Sequence, residues 1–114
     1  MFLAHIVPAA GLLLGPWAVA AEPRVFELSI RGGELPEPSR VMRVRQGDDV
    51  TLRWTTDRPL TIHLHGYDLE EKLMPDKPVS MRLTARATGR FPIEIHPHRP
   101  GGSGTIAYLE IYPR

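Results

Sequence analysis

The chain contains no cysteine, which removes disulfide staples and thiolate metal ligands at once. It also lacks an excess of either charge: 14 Lys and Arg stand against 13 Asp and Glu, a formal balance of +1. Acidic and basic residues are interspersed rather than blocked, so nothing points to nucleic acid or an anionic membrane as partner. No internal repeat or low-complexity tract occurs. No Ser/His/Asp set, glycine-rich phosphate loop or paired-carboxylate motif stands out, so the expectation is that the protein is not an enzyme.

Charge is absent altogether before Glu22. That leading segment has an apolar stretch around Leu12-Leu13-Leu14 and the small-x-small pattern Ala18-Val19-Ala20. It reads as an export signal over residues 1–21, cleaved to leave one domain at 22–114 in the periplasm. The amino end offers His5 where Lys or Arg is usual. Retention as a membrane anchor is the alternative, opposed by the breakers Pro8, Gly11, Gly15 and Pro16 and by the shortness of the apolar core. No membrane span remains after cleavage.

A domain of this size buries a smaller share of its surface than a larger one, and without disulfides it needs one continuous core. Twelve prolines and ten glycines interrupt the chain too often for long helices. Between them, apolar residues alternate with a period of two. Phe26, Leu28 and Ile30 share one face of their run, and Val41–Arg45 and Val50–Trp54 follow the same rule, with Trp54 read as core. Leu60–His65, Val79–Leu83 (Met81 inward), Phe91–Ile95 and Ile106–Tyr112 complete the set. About seven short strands with turn residues between them indicate an all-β sandwich with Greek-key connections. Gly32–Ser39 reads as a loop, and Tyr67–Met74 as an irregular or helical turn stopped by Pro75.

What the chain does hold is histidine in two doublets, His63-Leu64-His65-Gly66 and His96-Pro97-His98. Imidazole is the commonest protein ligand for copper and zinc. With Leu60, Ile62 and Leu64 facing the core, His63 and His65 project together from the opposite face; with Phe91, Ile93 and Ile95 inward, Glu94 and His96 point away. Residues on one face lie roughly 6.5–7 Å apart along a strand, and neighbouring strands about 4.8 Å apart. If the two strands are neighbours, His63, His65 and His96 converge, with His98 or Glu94 completing a set of four. Pro97 biases His96 toward extended geometry and stiffens its doublet, or simply ends the strand. Glu94 reads as a ligand or as an acceptor that orients His96. Asp68 and Glu70 read as a solvated loop or as acceptors for imidazole N–H groups. Met74 is a minor soft-ligand candidate, and Tyr67 covers either the site or the end of the sandwich. Against any metal role, histidines pointing off a sheet also serve as solvated residues that blunt it.

These residues resemble a cupredoxin over essentially all of 22–114. Val41–Trp54, with Gln46-Gly47-Asp48-Asp49 at its turn, is similar to the family's hairpin before the first copper histidine; a histidine-bearing strand then ends at His63-Leu64-His65. Gly89-Arg90-Phe91, Ile95-His96-Pro97-His98, a glycine-rich loop and a last apolar strand resemble its closing motif. Laid on that motif, Ile95 falls where the copper cysteine would be, His98 where the second histidine would be, and Ser103 near the axial methionine. The resemblance implies copper, while the missing thiolate removes an electron-shuttle role. The doublets are also similar to those of multicopper oxidases, which use four; this chain has two. The resulting expectation is a periplasmic protein of copper homeostasis that stores, buffers or delivers the ion, or supports assembly of a larger copper protein. His63, His65, His96 and His98 are its expected metal ligands. Nitrogen ligation favours Cu(II), with zinc possible. The expected partners are the metal ion and a periplasmic or membrane copper protein. The alternative is a metal-free cupredoxin-fold interaction module that docks through its histidine-bearing edge.

Overall fold

The alternating runs bury one face: Leu28 and Ile30, Val50, Leu52 and Trp54, Ile62 and Leu64, and Ile93 and Ile95 all fall at 2% exposure or less, while Phe26, Val79, Leu83 and Phe91 are partly buried against them. The computed structural model describes residues 21–98 and 101–114, with Ala4 by itself; apart from Ala4 and Ala21, the expected export signal lies outside the described residues. Eight strands form: β1 (Pro23–Ile30), β2 (Val41–Arg45), β3 (Asp49–Thr56), β4 (Leu60–Leu64), β5 (Leu69–Leu73), β6 (Val79–Thr84), β7 (Gly89–His96) and β8 (Thr105–Tyr112). Among the described residues the one helical element is the 3-10 turn Glu37–Ser39, inside the expected loop. No helix among them is long and apolar enough to cross a membrane.

The strands make two layers, a three-stranded sheet ordered β1-β3-β6 and a five-stranded sheet ordered β2-β8-β7-β4-β5. The β1–β3 and β2–β8 pairs are parallel and the others antiparallel. Leu28, Leu52, Trp54 and Met81 of the first sheet and Met42, Ile62, Leu64, Ile93, Ile95 and Leu109 of the second belong to one buried cluster. Met81 is therefore core, as the alternation implies.

Two expectations are corrected. Val41–Trp54 is not a hairpin: β2 lies beside β8 and β3 beside β1 and β6, so the turn between them crosses from one sheet to the other. Asp48 fixes this corner. Its carboxylate, almost wholly buried, accepts the N–H groups of Arg45 (2.9 Å) and Glu22 (3.3 Å) and pairs with Arg114. Burial pushes its pKa up, but the two backbone N–H groups and the charges of Arg114 and Arg24 prevail, and the carboxyl titrates below its ordinary value. Gly47, at φ +92°, supplies the left-handed step.

Second, Leu69–Leu73 is strand β5 and not a helical turn. Leucines four apart suit a helix, but they equally share a strand face. The reversal through Gly66 (φ +87°) and Asp68 (φ +52°) returns the chain along β4 with Leu60 opposite Leu73 and Leu64 opposite Leu69. Glu70, Glu71 and Lys72 are exposed on this border strand, charge that discourages another chain from pairing there. A bulge in β8 also matters to the outer face: Ile93 pairs with Ala107 but Glu94 with Thr105, so Ile106 is an extra residue. Ile106 and Ala107 are consequently buried in succession.

Candidate metal centre

β4 and β7 are neighbours, as convergence of the doublets requires. Their register sets Thr61 opposite His96, Ile62 opposite Ile95, His63 opposite Glu94 and Leu64 opposite Ile93. Since the isoleucines and Leu64 fill the core, His63, Glu94 and His96 occupy the outer face of the five-stranded sheet. His65, one step past β4, keeps this alignment because its N–H donates to Pro92 O at 3.0 Å.

Glu94 is the centre of the arrangement. Its carboxylate and the imidazoles of His96 and His98 each offer a donor atom, all within 4.8 Å of one another. On its other side Oε2 lies 3.0 Å from His65 Nε2. That nitrogen is shut off from solvent and has no aligned hydrogen bond despite the short contact. The His65 contact is the main cause holding Glu94 below the usual carboxylate range; burial opposes it, and His65, His96 and His98 add weaker attraction. Glu94 is thus an anion at neutral pH.

The doublets do not close on one point through histidine alone. Each forms its own pair: His63 and His65 with ring centroids 4.2 Å apart, His96 and His98 with centroids 4.8 Å apart. Glu94 lies between the pairs. Its even spacing from His96 is visible in the sequence, whereas its register opposite His63 follows from the fold. His96 and His98 are exposed, whereas His63 is a quarter exposed.

One glycine seats the His98 ring, and a second makes room for Phe91. A Cβ on Gly104 would stand 2.7 Å from His98 Cδ2 and 2.8 Å from its Nε2, so the ring packs directly on the Gly104 backbone. Gly104 O in turn accepts the N–H of Ile95 at 2.8 Å, which ties this contact to the end of β7. At Gly66 a Cβ would fall 2.4 Å from Phe91 Cδ1, so Phe91 fills the space beneath the turn that follows His65.

The remaining candidates stand outside the Glu94, His96 and His98 cluster. Asp68 is fully exposed, its Oδ1 3.7 Å from His63 Nε2, beyond a hydrogen bond. Glu70 stands opposite His63 on β5. Tyr67 closes the sandwich end: its hydroxyl donates to Ala87 O and accepts from Ala87 N, and its ring meets Phe91 edge-on. Met74 is exposed in a bridge with Lys77 beyond β5. Ile95, where the resemblance would put cysteine, points into the core at 2% exposure. His5 lies outside the described residues.

With this topology the fold is that of the cupredoxin-like β-sandwiches found in copper proteins. No protein-family model matches the chain, and no curated protein matches its sequence. Among similar solved structures is a heme-copper terminal oxidase dimer, with TM-score 0.64, 16% identity, and coverage of 77% of this chain and 64% of that one. A multi-copper oxidase from Pseudomonas Thermotolerans gives TM-score 0.63 and 21% identity over 83% of this chain and 31% of that one. A copper binding protein in its apo form gives TM-score 0.60 and 8% identity, covering 81% of this chain and 96% of that one. The chain thus spans less than two thirds of either oxidase and nearly all of the copper binding protein. At these identities the likeness is one of fold.

Proposed function

We propose that this protein binds copper on the outer face of its five-stranded sheet, with Glu94, His96 and His98 as donors and His65 against Glu94. One observation carries the proposal: a carboxylate and two imidazoles within 4.8 Å of one another, on a fold shared with copper proteins. Bonds of about 2 Å place two donors of one ion roughly 3–4 Å apart. Exposed side chains at the end of β7 can make up the difference. Nitrogen and oxygen donors without thiolate suit Cu(II), and zinc as the second choice.

The ligand set argues for handling the ion rather than shuttling electrons. Hydrocarbon fills the Ile95 position, so no Cu–S bond tunes a low-reorganisation centre, and exposed imidazoles leave the ion open to exchange with another protein. We assign storage, buffering or delivery of copper in the periplasm after export, without catalytic turnover. Isothermal titration with Cu(II) tests this against a His96→Ala/His98→Ala variant. Loss of a high-affinity binding event is expected; identical isotherms would remove the site.

A further inference from the structure

Once Glu94, His96 and His98 take an ion, the other doublet is left over. The rings of His63 and His65 lean together to 4.2 Å between centroids, although same-face residues of a strand start roughly 6.5–7 Å apart. His65 Nε2 is turned inward, away from solvent, and meets the Glu94 carboxylate there. Carboxylates border the pair: Glu94 Oε2 is 3.0 Å from His65 Nε2, Asp68 Oδ1 is 3.7 Å from His63 Nε2, and Glu70 stands opposite His63 on β5. This is an imidazole pair with anionic surroundings, the same chemistry as the neighbouring site. A carboxylate has two oxygens with lone pairs to spare, so Glu94 can serve one ion with each.

We propose that His63 and His65 form a second metal position, bridged through the Glu94 carboxylate to the ion at His96 and His98, so that one chain holds a pair of divalent ions. The inference rests on the copper site proposed above. Glu94, Asp68 and Glu70 offset the charge of the pair, and a bridge of this kind sets two ions about 4 Å apart. The sequence carries two doublets because each holds its own ion.

Titration of the full protein with Cu(II), followed by calorimetry and by electron paramagnetic resonance of the same samples, tests this. Two equivalents per chain are expected, with dipolar broadening and a half-field transition in the fully loaded wild-type protein. His63→Asn/His65→Asn and His96→Asn/His98→Asn should each saturate at one equivalent and show an uncoupled signal. Wild-type saturation at one equivalent would overturn the second position while leaving the first intact. Two equivalents without magnetic coupling would overturn the bridge. Absence of any saturable binding would remove both sites. The wild-type spectrum decides the question even if a variant folds poorly.

Discussion

Gly104→Ala isolates the packing that holds His98. The new Cβ would sit 2.7–2.8 Å from two atoms of the imidazole and 3.3 Å from Ile95 O. The ring is exposed and ends a side chain, so it swings away rather than strains the backbone. Overpacking costs typically 1–3 kcal/mol, but escape of the ring and the lower entropy of an unfolded Ala chain offset much of it. Net destabilisation of about 1 kcal/mol or less is expected, a melting shift under roughly 8 °C for a domain of this size. Copper affinity is the sensitive readout. Loss of support for a ligand typically costs 10–100-fold, and that range is expected in competition against a chelator of known affinity. In a His98→Ala background the same substitution should change affinity no further, since both act through one ring. Unchanged affinity in the single variant, or an added loss in the double, would refute the role of Gly104 in seating His98.

Gly66→Ala combines a φ of +87° with a Cβ only 2.4 Å from the Phe91 ring; a loss of about 2–5 kcal/mol is expected in urea unfolding, eased by Phe91→Ala in the same chain. Asp48→Asn should cost about 2–3 kcal/mol at pH 7. Because the folded carboxyl titrates below its unfolded value of about 3.9, its contribution is complete above that pH and fades as pH falls through the folded value. The gap between wild type and Asp48→Asn should therefore stay constant from pH 7 to 5 and shrink below about 4. Glu94→Gln keeps the side-chain shape but removes the anion beside His65. Copper affinity should fall at least about tenfold with little change in melting temperature, and equal binding would exclude Glu94 as a donor.

Much of the fold is legible as alternation, because a sheet with one face in the core writes period two into its strands. Val50, Leu52 and Trp54, or Leu60, Ile62 and Leu64, say which face is inward. They do not say which strand lies alongside, so β2 and β3, consecutive and similar, look like a hairpin although the Asp48 corner sends them to different sheets. β5 was hidden for another reason: a border strand carries charge at Glu70, Glu71 and Lys72, and only Leu69 and Leu73 mark its inner face. The same limit governs the site. The pairing of His63 with His65 follows from one strand and could be read directly. The place of Glu94 between the doublets depends on the β4–β7 register, and the seating of His98 on a glycine six residues later depends on the path of the loop.

Pulsed electron paramagnetic resonance of the Cu(II)-loaded protein tests copper binding by these residues most directly. Modulation from the remote nitrogens of coordinated imidazole is expected in the wild-type protein, reduced in His96→Asn/His98→Asn. A spectrum matching the aqueous ion, with no imidazole nitrogen in either protein, would contradict it.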